Sequence, residues 1–216
     1  MSLHAASRPT ARWQPTQFLS IRDLTPADLE ICLGLAASMK AARRARRAHA
    51  RPLQGQHVAL LFEKPSLRTR STFQIAVREL GGEVIEPLPE VALGGREAIE
   101  DVARNLERWV FGAVIRTFAQ DRLERFAASA PGLRVVNALT NEEHPCQALA
   151  DCLTLIERFK TLEGRTIAFV GDGNNVAASL AQAVAMLGGQ VIVASPAGFE
   201  LPAAVIESVE DRKSVV

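Results

Sequence analysis

The sequence has little cysteine: Cys32, Cys146 and Cys152 are the only three in 216 residues. An odd cysteine count, with no CxxC pair and no Cys/His quartet at zinc spacing, argues against a disulfide framework and against structural zinc. The N-terminus also lacks a basic segment followed by an apolar run, so no secretory signal is predicted. We therefore expect a protein of a reducing compartment, located in the cytoplasm.

An excess of one charge is also missing. The 25 Lys and Arg residues nearly balance the 24 Asp and Glu residues, which leaves a formal net charge of +1 and no global field to attract anions. One basic cluster follows a predicted helix, but it lacks interleaved aromatic residues and is typical of a solvated helix end. The uncharged run at 173–199 is interrupted by Asn, Gln and Gly, which favours a buried core over a membrane span. We expect neither nucleic acid nor a membrane as partner.

Hydrophobic residues make up 48% of the chain, enough for a substantial core. From residue 58 onward, short β-type runs alternate with helical runs, a pattern typical of a parallel sheet with helices on both faces. We predict an α/β fold with two similar domains, the second incomplete. The predicted division is a loose tail at 1–17, a first domain at 18–155 and a partial second domain at 156–216.

A cluster of hydroxyl and basic residues follows the first predicted strand. Ser66, Arg68 and Thr69 lie where this strand ends and a helix begins. Ligands bind at such turns because free N–H groups and the helix dipole point there, and two hydroxyls beside an arginine suit a phosphate dianion. The same segment is equally typical of a capped helix start with surface arginines.

Two further strand ends are predicted at the same sheet edge. Arg116 ends a strand, and His144 precedes a long helix that begins with Pro145, Cys146 and Gln147. An arginine at the end of a buried strand pairs or binds an anion, because leaving it unpaired is costly. Alone, His144 is more typical of a structural cap and Cys146 of buried filler. Their coincidence favours a functional site.

Taken in order, five segments resemble the ornithine branch of the aspartate/ornithine carbamoyltransferase family. They are Phe62-Glu63-Lys64-Pro65-Ser66-Leu67-Arg68-Thr69-Arg70, Leu93-Gly94-Gly95-Arg96-Glu97, Arg116-Thr117-Phe118, His144-Pro145-Cys146-Gln147 with Ala150-Asp151, and Gly171-Asp172-Gly173-Asn174-Asn175. The resemblance covers about residues 18–205 and implies carbamoyl transfer from carbamoyl phosphate to the δ-amine of L-ornithine, giving L-citrulline and phosphate in arginine metabolism. The first domain then binds carbamoyl phosphate and the second binds ornithine.

The resemblance also implies roles for single residues. Ser66, Leu67, Arg68 and Thr69 match the phosphate-binding turn, with Leu67 contributing only its backbone N–H. Catalytic roles fall to Arg68, Arg116 and His144; the last two bind the carbamoyl carbonyl oxygen, and Gln147 holds the carbamoyl amide beside Pro145 and Cys146. Asn175 matches a contact to ornithine, and Gly94, Arg96 and Glu97 match a loop that reaches a neighbouring subunit in a homotrimer. No metal or redox cofactor is expected, because phosphate is already a good leaving group.

Several alternatives stay open. Putrescine, N-acetylornithine or aspartate could be the acceptor, because the Ser-Met-Gly and His-Cys-Leu-Pro segments expected to contact it are absent. The segment from Gly171 to Asn175 also resembles a dinucleotide-binding turn, although Val176 stands at the third glycine position and no acidic residue follows the next strand. A regulatory paralogue or inactive fragment is the third possibility. We expect a C-terminally truncated chain that is inactive alone.

Overall fold

The computed structural model describes residues 16–47, 50–88, 93 and 95–210. Its helices and strands follow the predicted alternation, with boundaries that shift by only a few residues. The predicted tail is described only for residues 16 and 17, and residues 211–216 lie outside the described part. The elements are α1 (Pro26–Arg44), β1 (His57–Phe62), α2 (Leu67–Glu79), β2 (Glu83–Ile85), α3 (Ile99–Trp109), β3 (Gly112–Arg116), α4 (Gln120–Ser129), β4 (Arg134–Leu139), α5 (Pro145–Phe159), β5 (Thr166–Val170), α6 (Asn175–Met186), β6 (Gln190–Ala194) and α7 (Ala203–Glu210).

Helix α1 begins at the capping box that the sequence predicts. The Thr25 hydroxyl accepts the Asp28 N–H at 3.2 Å, and the Asp28 carboxylate accepts the Thr25 N–H at 3.0 Å. Two of the free donors at the helix start are thereby satisfied. Basic residues at the end of α1 form ion pairs: Lys40 with Glu157 at 2.7 Å and Arg43 with Glu79 at 3.0 Å.

Four strands form the first sheet, in the order β2-β1-β3-β4, and every pairing is parallel. Strand β1 is buried at five consecutive positions, as expected for a strand covered on both faces. The predicted α/β class with a parallel sheet is confirmed. Because the strands are parallel, the ends of β1, β3 and β4 meet at one edge, and the candidate residues follow these ends.

A second sheet contains β5 and β6, also paired in parallel. Helix α6 is buried almost throughout and packs against one face of this sheet and against α5. On the other face Val170 is 82% exposed and Ile192 51% exposed. The core around α6 also includes Ala148 and Cys152 of α5, so apolar packing continues across the predicted domain boundary near residue 155. That boundary stays a prediction.

None of the helices in the described ranges combines the length and the apolar character that a membrane crossing requires.

Candidate active site

A cavity of about 560 Å³ opens at the carboxyl edge of the first sheet. It lies between the start of α2, the end of β3 and the start of α5. The structure brings together most of the candidate side chains here, on three segments that are distant in sequence. The lining residues are Ser66, Arg68, Thr69, Thr72, Phe73, Arg116, Leu139, His144, Cys146, Gln147, Ala150, Asp151 and Val176.

The N-terminus of α2 forms one wall of this cavity. Ser66 is the N-cap residue in extended conformation, but its hydroxyl makes no capping hydrogen bond. The first turn contains no acidic residue, so the partial positive charge of the helix end is uncompensated. Leu67 points its side chain away and is 84% exposed, which leaves only its backbone for binding. This arrangement suits an anion.

A second helix N-terminus, that of α5, borders the same cavity. His144 is its N-cap and Pro145 its first residue; the His144 side chain makes no capping bond, and the first turn again lacks acidic residues. Pro145 itself is buried and contributes no lining surface. Two helix starts without their own side-chain caps therefore share one cavity with Arg68 and Arg116.

Arg116 ends β3 and is held by the sheet, since its carbonyl accepts the Glu63 N–H at 2.9 Å. Within the described residues its guanidinium forms no ion pair, and the buried Nε has no hydrogen-bond partner. Burial lowers the pKa of Arg116. A partly desolvated cation without a counter-charge is costly, so this position favours binding of an anion.

In the described part of the chain, the imidazole of His144 also lacks a hydrogen-bond partner at its buried Nδ1. Burial, and next the positive charge of Arg116, lower the pKa of His144 to about 4. The ring is therefore neutral at physiological pH, with one nitrogen that donates a hydrogen bond and one that accepts. The His144 backbone N–H donates to the Ser179 hydroxyl at 2.9 Å, which ties the start of α5 to α6.

Gln147 presents an acceptor to the cavity. Its Nε2 donates to the Asp151 carboxylate at 2.9 Å, one turn along α5. This contact assigns the nitrogen to Asp151 and leaves the amide oxygen free to accept from a ligand N–H. The sequence places Asp151 in a family motif without indicating this role.

Cys146 is chemically unsuited to be a nucleophile. Its Sγ donates to the Asn137 carbonyl at 3.4 Å. Burial, and next the neighbouring Cys32, raise the pKa of the Cys146 thiol to about 12. Because the thiolate is the reactive form, the raised pKa argues against a nucleophilic role. Cys146 is half-buried and lines the cavity, so it is not the fully buried filler that the sequence favours.

A network that the sequence did not indicate joins the strand ends around Arg116. Lys64 donates to Asn141 at 2.5 Å and its Nζ lies 4.4 Å from the centroid of the Phe118 ring. Burial, and next the charge of Arg116, lower the pKa of Lys64, while Glu63 opposes this. These contacts connect residues from three separate strand ends, so no local sequence pattern reveals them.

Other candidate residues lie elsewhere. Asn175 donates to the Thr140 carbonyl at 2.6 Å and lines a neighbouring cavity of about 230 Å³; its contact with ornithine stays a prediction. Gly94 lies outside the described residues. Arg96 and Glu97 are exposed in the segment before α3, and their role between subunits stays a prediction.

At the turn before α6, other residues of the chain take up the free N–H groups and the space that a ligand would need. The Asn174 side chain caps α6 by accepting from the N–H groups of Val176 at 3.0 Å and Ala177 at 3.3 Å. Gly173 donates to Phe199 at 2.7 Å, and a Cβ at Gly173 would lie 2.8 Å from the Glu200 carbonyl oxygen. A dinucleotide pyrophosphate needs these N–H groups and this space, so the geometry disfavours that alternative.

Family models match nearly the whole described chain. Residues 16–157 match "Aspartate/ornithine carbamoyltransferase, carbamoyl-P binding domain", and residues 163–215 match "Aspartate/ornithine carbamoyltransferase, Asp/Orn binding domain". The chain is 52% identical over 184 residues to the ornithine carbamoyltransferase of Parafrankia sp. (strain EAN1pec), covering 85% of this chain and 58% of that protein. The chain is 51% identical over 191 residues to the ornithine carbamoyltransferase of Acidothermus cellulolyticus, covering 88% of this chain and 60% of that protein. The chain thus spans about three fifths of the length of these curated relatives.

Solved structures show the same similarity. Ornithine carbamoyltransferase from Gloeobacter violaceus matches with a TM-score of 0.81 and 42% identity, covering 95% of this chain and 68% of that one. Ornithine carbamoyltransferase from Pyrococcus furiosus matches with a TM-score of 0.87 and 35% identity, covering 92% of this chain and 64% of that one. A third match is aspartate transcarbamoylase from Trypanosoma cruzi in complex with N-(phosphonacetyl)-L-aspartic acid. Its TM-score is 0.79 and its identity 28%, covering 91% of this chain and 64% of that one.

Proposed function

The chain belongs to the aspartate/ornithine carbamoyltransferase family, and we propose that the cavity at its first sheet binds carbamoyl phosphate for transfer of the carbamoyl group to L-ornithine. One observation carries the proposal. Arg116 and His144 line the same cavity, and each has a buried side-chain nitrogen without a hydrogen-bond partner among the residues that the structure describes. A ligand with an anionic group and a polar carbonyl supplies a counter-charge for Arg116 and a hydrogen-bond acceptor for the neutral ring of His144.

The phosphate group belongs at the start of α2. Ser66, Arg68 and Thr69 line this end of the cavity. Their two hydroxyls and guanidinium are the proposed phosphate donors, together with the free N–H groups of the first turn, Leu67 included. Charge-assisted hydrogen bonds from arginine to phosphate are about twice as strong as neutral ones. The helix dipole adds to them.

The carbamoyl group belongs between Arg116 and His144. When the amine attacks, negative charge develops on the carbonyl oxygen, and donors fixed in place before the reaction lower the barrier by roughly 3 kcal/mol each. Arg116 supplies a cation already partly stripped of water, and His144 supplies a neutral donor. Gln147 accepts an N–H of the carbamoyl amide through the oxygen that its bond to Asp151 leaves free.

The reaction balances without any further reactant. A new bond forms between the amine nitrogen and the carbonyl carbon, and the bond from that carbon to the bridging oxygen breaks. The bridging oxygen leaves with the phosphate, and the proton that the neutral amine loses passes to the departing phosphate, which becomes hydrogen phosphate. Most of the catalytic effect then comes from orientation and from stabilising the oxyanion.

The acceptor proposed is L-ornithine, which gives L-citrulline. Its support is the relationship to proteins named ornithine carbamoyltransferase at 52% and 51% identity, against 28% for the aspartate transcarbamoylase of T. cruzi. Asn175, one residue before Val176 of the cavity lining, is the proposed contact to the amino-acid end. For the longer protein we propose a homotrimer in which Arg96 and Glu97 approach a neighbouring site.

Calorimetric titration tests both halves of this proposal. Phosphonoacetamide, a stable analogue of carbamoyl phosphate, should bind the chain, and N-phosphonoacetyl-L-ornithine should bind more tightly than the corresponding putrescine, N-acetylornithine and aspartate conjugates. Citrulline formation is assayed in parallel, and we expect little or no turnover from the chain alone. Tighter binding of the aspartate conjugate would replace the acceptor, whereas failure to bind phosphonoacetamide would overturn the site.

A further inference from the structure

A buried carboxylate lies directly before His144 and takes no part in the proposed chemistry. Glu143 is 5% exposed and sits in the turn between β4 and α5. Its Oε2 accepts from the Ser179 hydroxyl at 3.0 Å and from the Ile21 N–H at 3.2 Å, and its Oε1 accepts from the Ser20 hydroxyl. A buried carboxylate is retained only where such partners offset its desolvation.

The bonds of Glu143 lead to His144 through Ser179. The Ser179 hydroxyl donates its one proton to Glu143 and accepts the His144 backbone N–H at 2.9 Å. Because the hydroxyl has only one hydrogen, Glu143 fixes the direction in which its lone pairs face His144. Ser179 is completely buried on α6, so neither side chain rearranges freely.

The turn itself is held from the opposite side. The Glu143 N–H donates to the Thr140 hydroxyl at 3.0 Å, and the Thr140 N–H donates to the Glu143 carbonyl at 2.9 Å. The backbone of His144 is therefore fixed on one side by the turn and on the other by Ser179, while its side chain makes no capping bond of its own.

We propose that Glu143 and Ser179 are positioning residues that hold the backbone of His144, and through it the imidazole, against the carbonyl oxygen of carbamoyl phosphate. This inference rests on the proposed function. Through Ser179, helix α6 of the second sheet is then connected directly to the cavity at the first sheet. Neither residue lines the cavity, so both act through His144.

Two ligands separate positioning from general stability. Inorganic phosphate occupies only the subsite at the start of α2, whereas phosphonoacetamide also places a carbonyl next to His144. Loss of one well-placed hydrogen bond lowers the ratio of phosphonoacetamide affinity to phosphate affinity by about five-fold or more. We expect this loss in Ser179→Ala and Glu143→Met, with phosphate affinity changed less than about two-fold.

Glu143→Gln is the conservative variant. Its amide oxygen still accepts from Ser179 and Ile21, and its amide nitrogen donates to the Ser20 hydroxyl, so the affinity ratio should stay near that of the unmodified chain. Ser208→Ala, which removes an α7 hydroxyl bonded to Val205 at 2.7 Å, is the matched control for Ser179→Ala. The unmodified chain gives a further measurement: phosphonoacetamide, but not phosphate at equal saturation, should slow hydrogen exchange of the His144 amide.

The possible results separate failure of the positioning role from failure of the proposed function. An unchanged ratio in the variants, an equal loss of phosphate affinity, or equal protection of the His144 amide by both ligands would overturn the positioning role and leave the proposed function intact. A chain that binds phosphate but not phosphonoacetamide, or that binds neither, would overturn the proposed function and the positioning role with it.

Discussion

Arg116 and His144 line the same cavity, where burial and, next, the positive charge of Arg116 lower the pKa of His144 to about 4. At neutral pH, Arg116 is therefore a permanent cation and His144 a neutral hydrogen-bond donor. A protonated His144 beside Arg116 would add repulsion between like charges. The pairing is suited to an oxygen that gains negative charge only during the reaction.

The first prediction concerns the protonation of His144. NMR titration of its ring carbons, assigned with His144→Gln, should give a pKa near 4 in the free chain. Arg116→Met should raise this pKa, although not to 6.5, because burial is the larger cause. Since folding lowers this pKa, the stability that the neutral ring contributes is complete above pH 6.5 and is lost as the pH falls towards 4. An unmodified chain that titrates near 6.5 would contradict the assigned environment.

The second prediction concerns Cys146. Since its thiol pKa is raised to about 12, iodoacetamide should leave Cys146 unmodified in the folded chain at pH 8. Cys146→Ser should change phosphonoacetamide affinity by less than about three-fold, because the hydroxyl replaces the hydrogen bond to Asn137. Strong loss of binding in Cys146→Ser, with full binding in Arg116→Met, would assign the chemistry to the thiol instead.

The third prediction follows from the burial of Glu143, which raises its pKa above 4.5 despite three hydrogen bonds. A carboxyl whose pKa is higher in the folded state stabilises the fold below pH 4.5, and this contribution is lost as the pH rises through the folded value. The melting temperature of Glu143→Gln should therefore rise relative to that of the unmodified chain as the pH increases above 4.5. Glu207→Gln, at an exposed glutamate of α7 that forms no ion pair within the described residues, is the control. A difference independent of pH would show that Glu143 does not titrate as described.

The fourth prediction concerns the uncovered face of the second sheet. Val170 and Ile192 are 82% and 51% exposed, and an apolar sheet face with open edges promotes association. The chain should self-associate as its concentration rises, and Val170→Lys combined with Ile192→Thr should reduce this. Leu35→Lys, at a leucine of α1 that is 60% exposed, should have little effect. Light scattering distinguishes the variants, and equal scattering by all of them would place the contact elsewhere.

The sequence predicts the site as far as the topology of a parallel sheet determines it. Arg116 and His144 each adjoin the end of a strand, and parallel strands end at a common edge, so their proximity follows from the alternation of strands and helices. The contact of Glu143 with Ser179 spans 36 residues and depends on how α6 packs against the turn, which no local pattern records. Nor does the family motif show that Gln147 bonds to Asp151, or that Asn175 is engaged with Thr140.

The central claim is that Arg116 binds the carbamoyl end of the ligand in this cavity. Titration of phosphonoacetamide into the unmodified chain, Arg116→Met and Arg125→Met tests it most directly, since Arg125 is an exposed arginine of α4 outside the cavity. We predict that Arg116→Met weakens binding by about ten-fold or more, as expected for a charged hydrogen-bond donor, and that Arg125→Met binds like the unmodified chain. Equal affinity in the two variants would contradict the account.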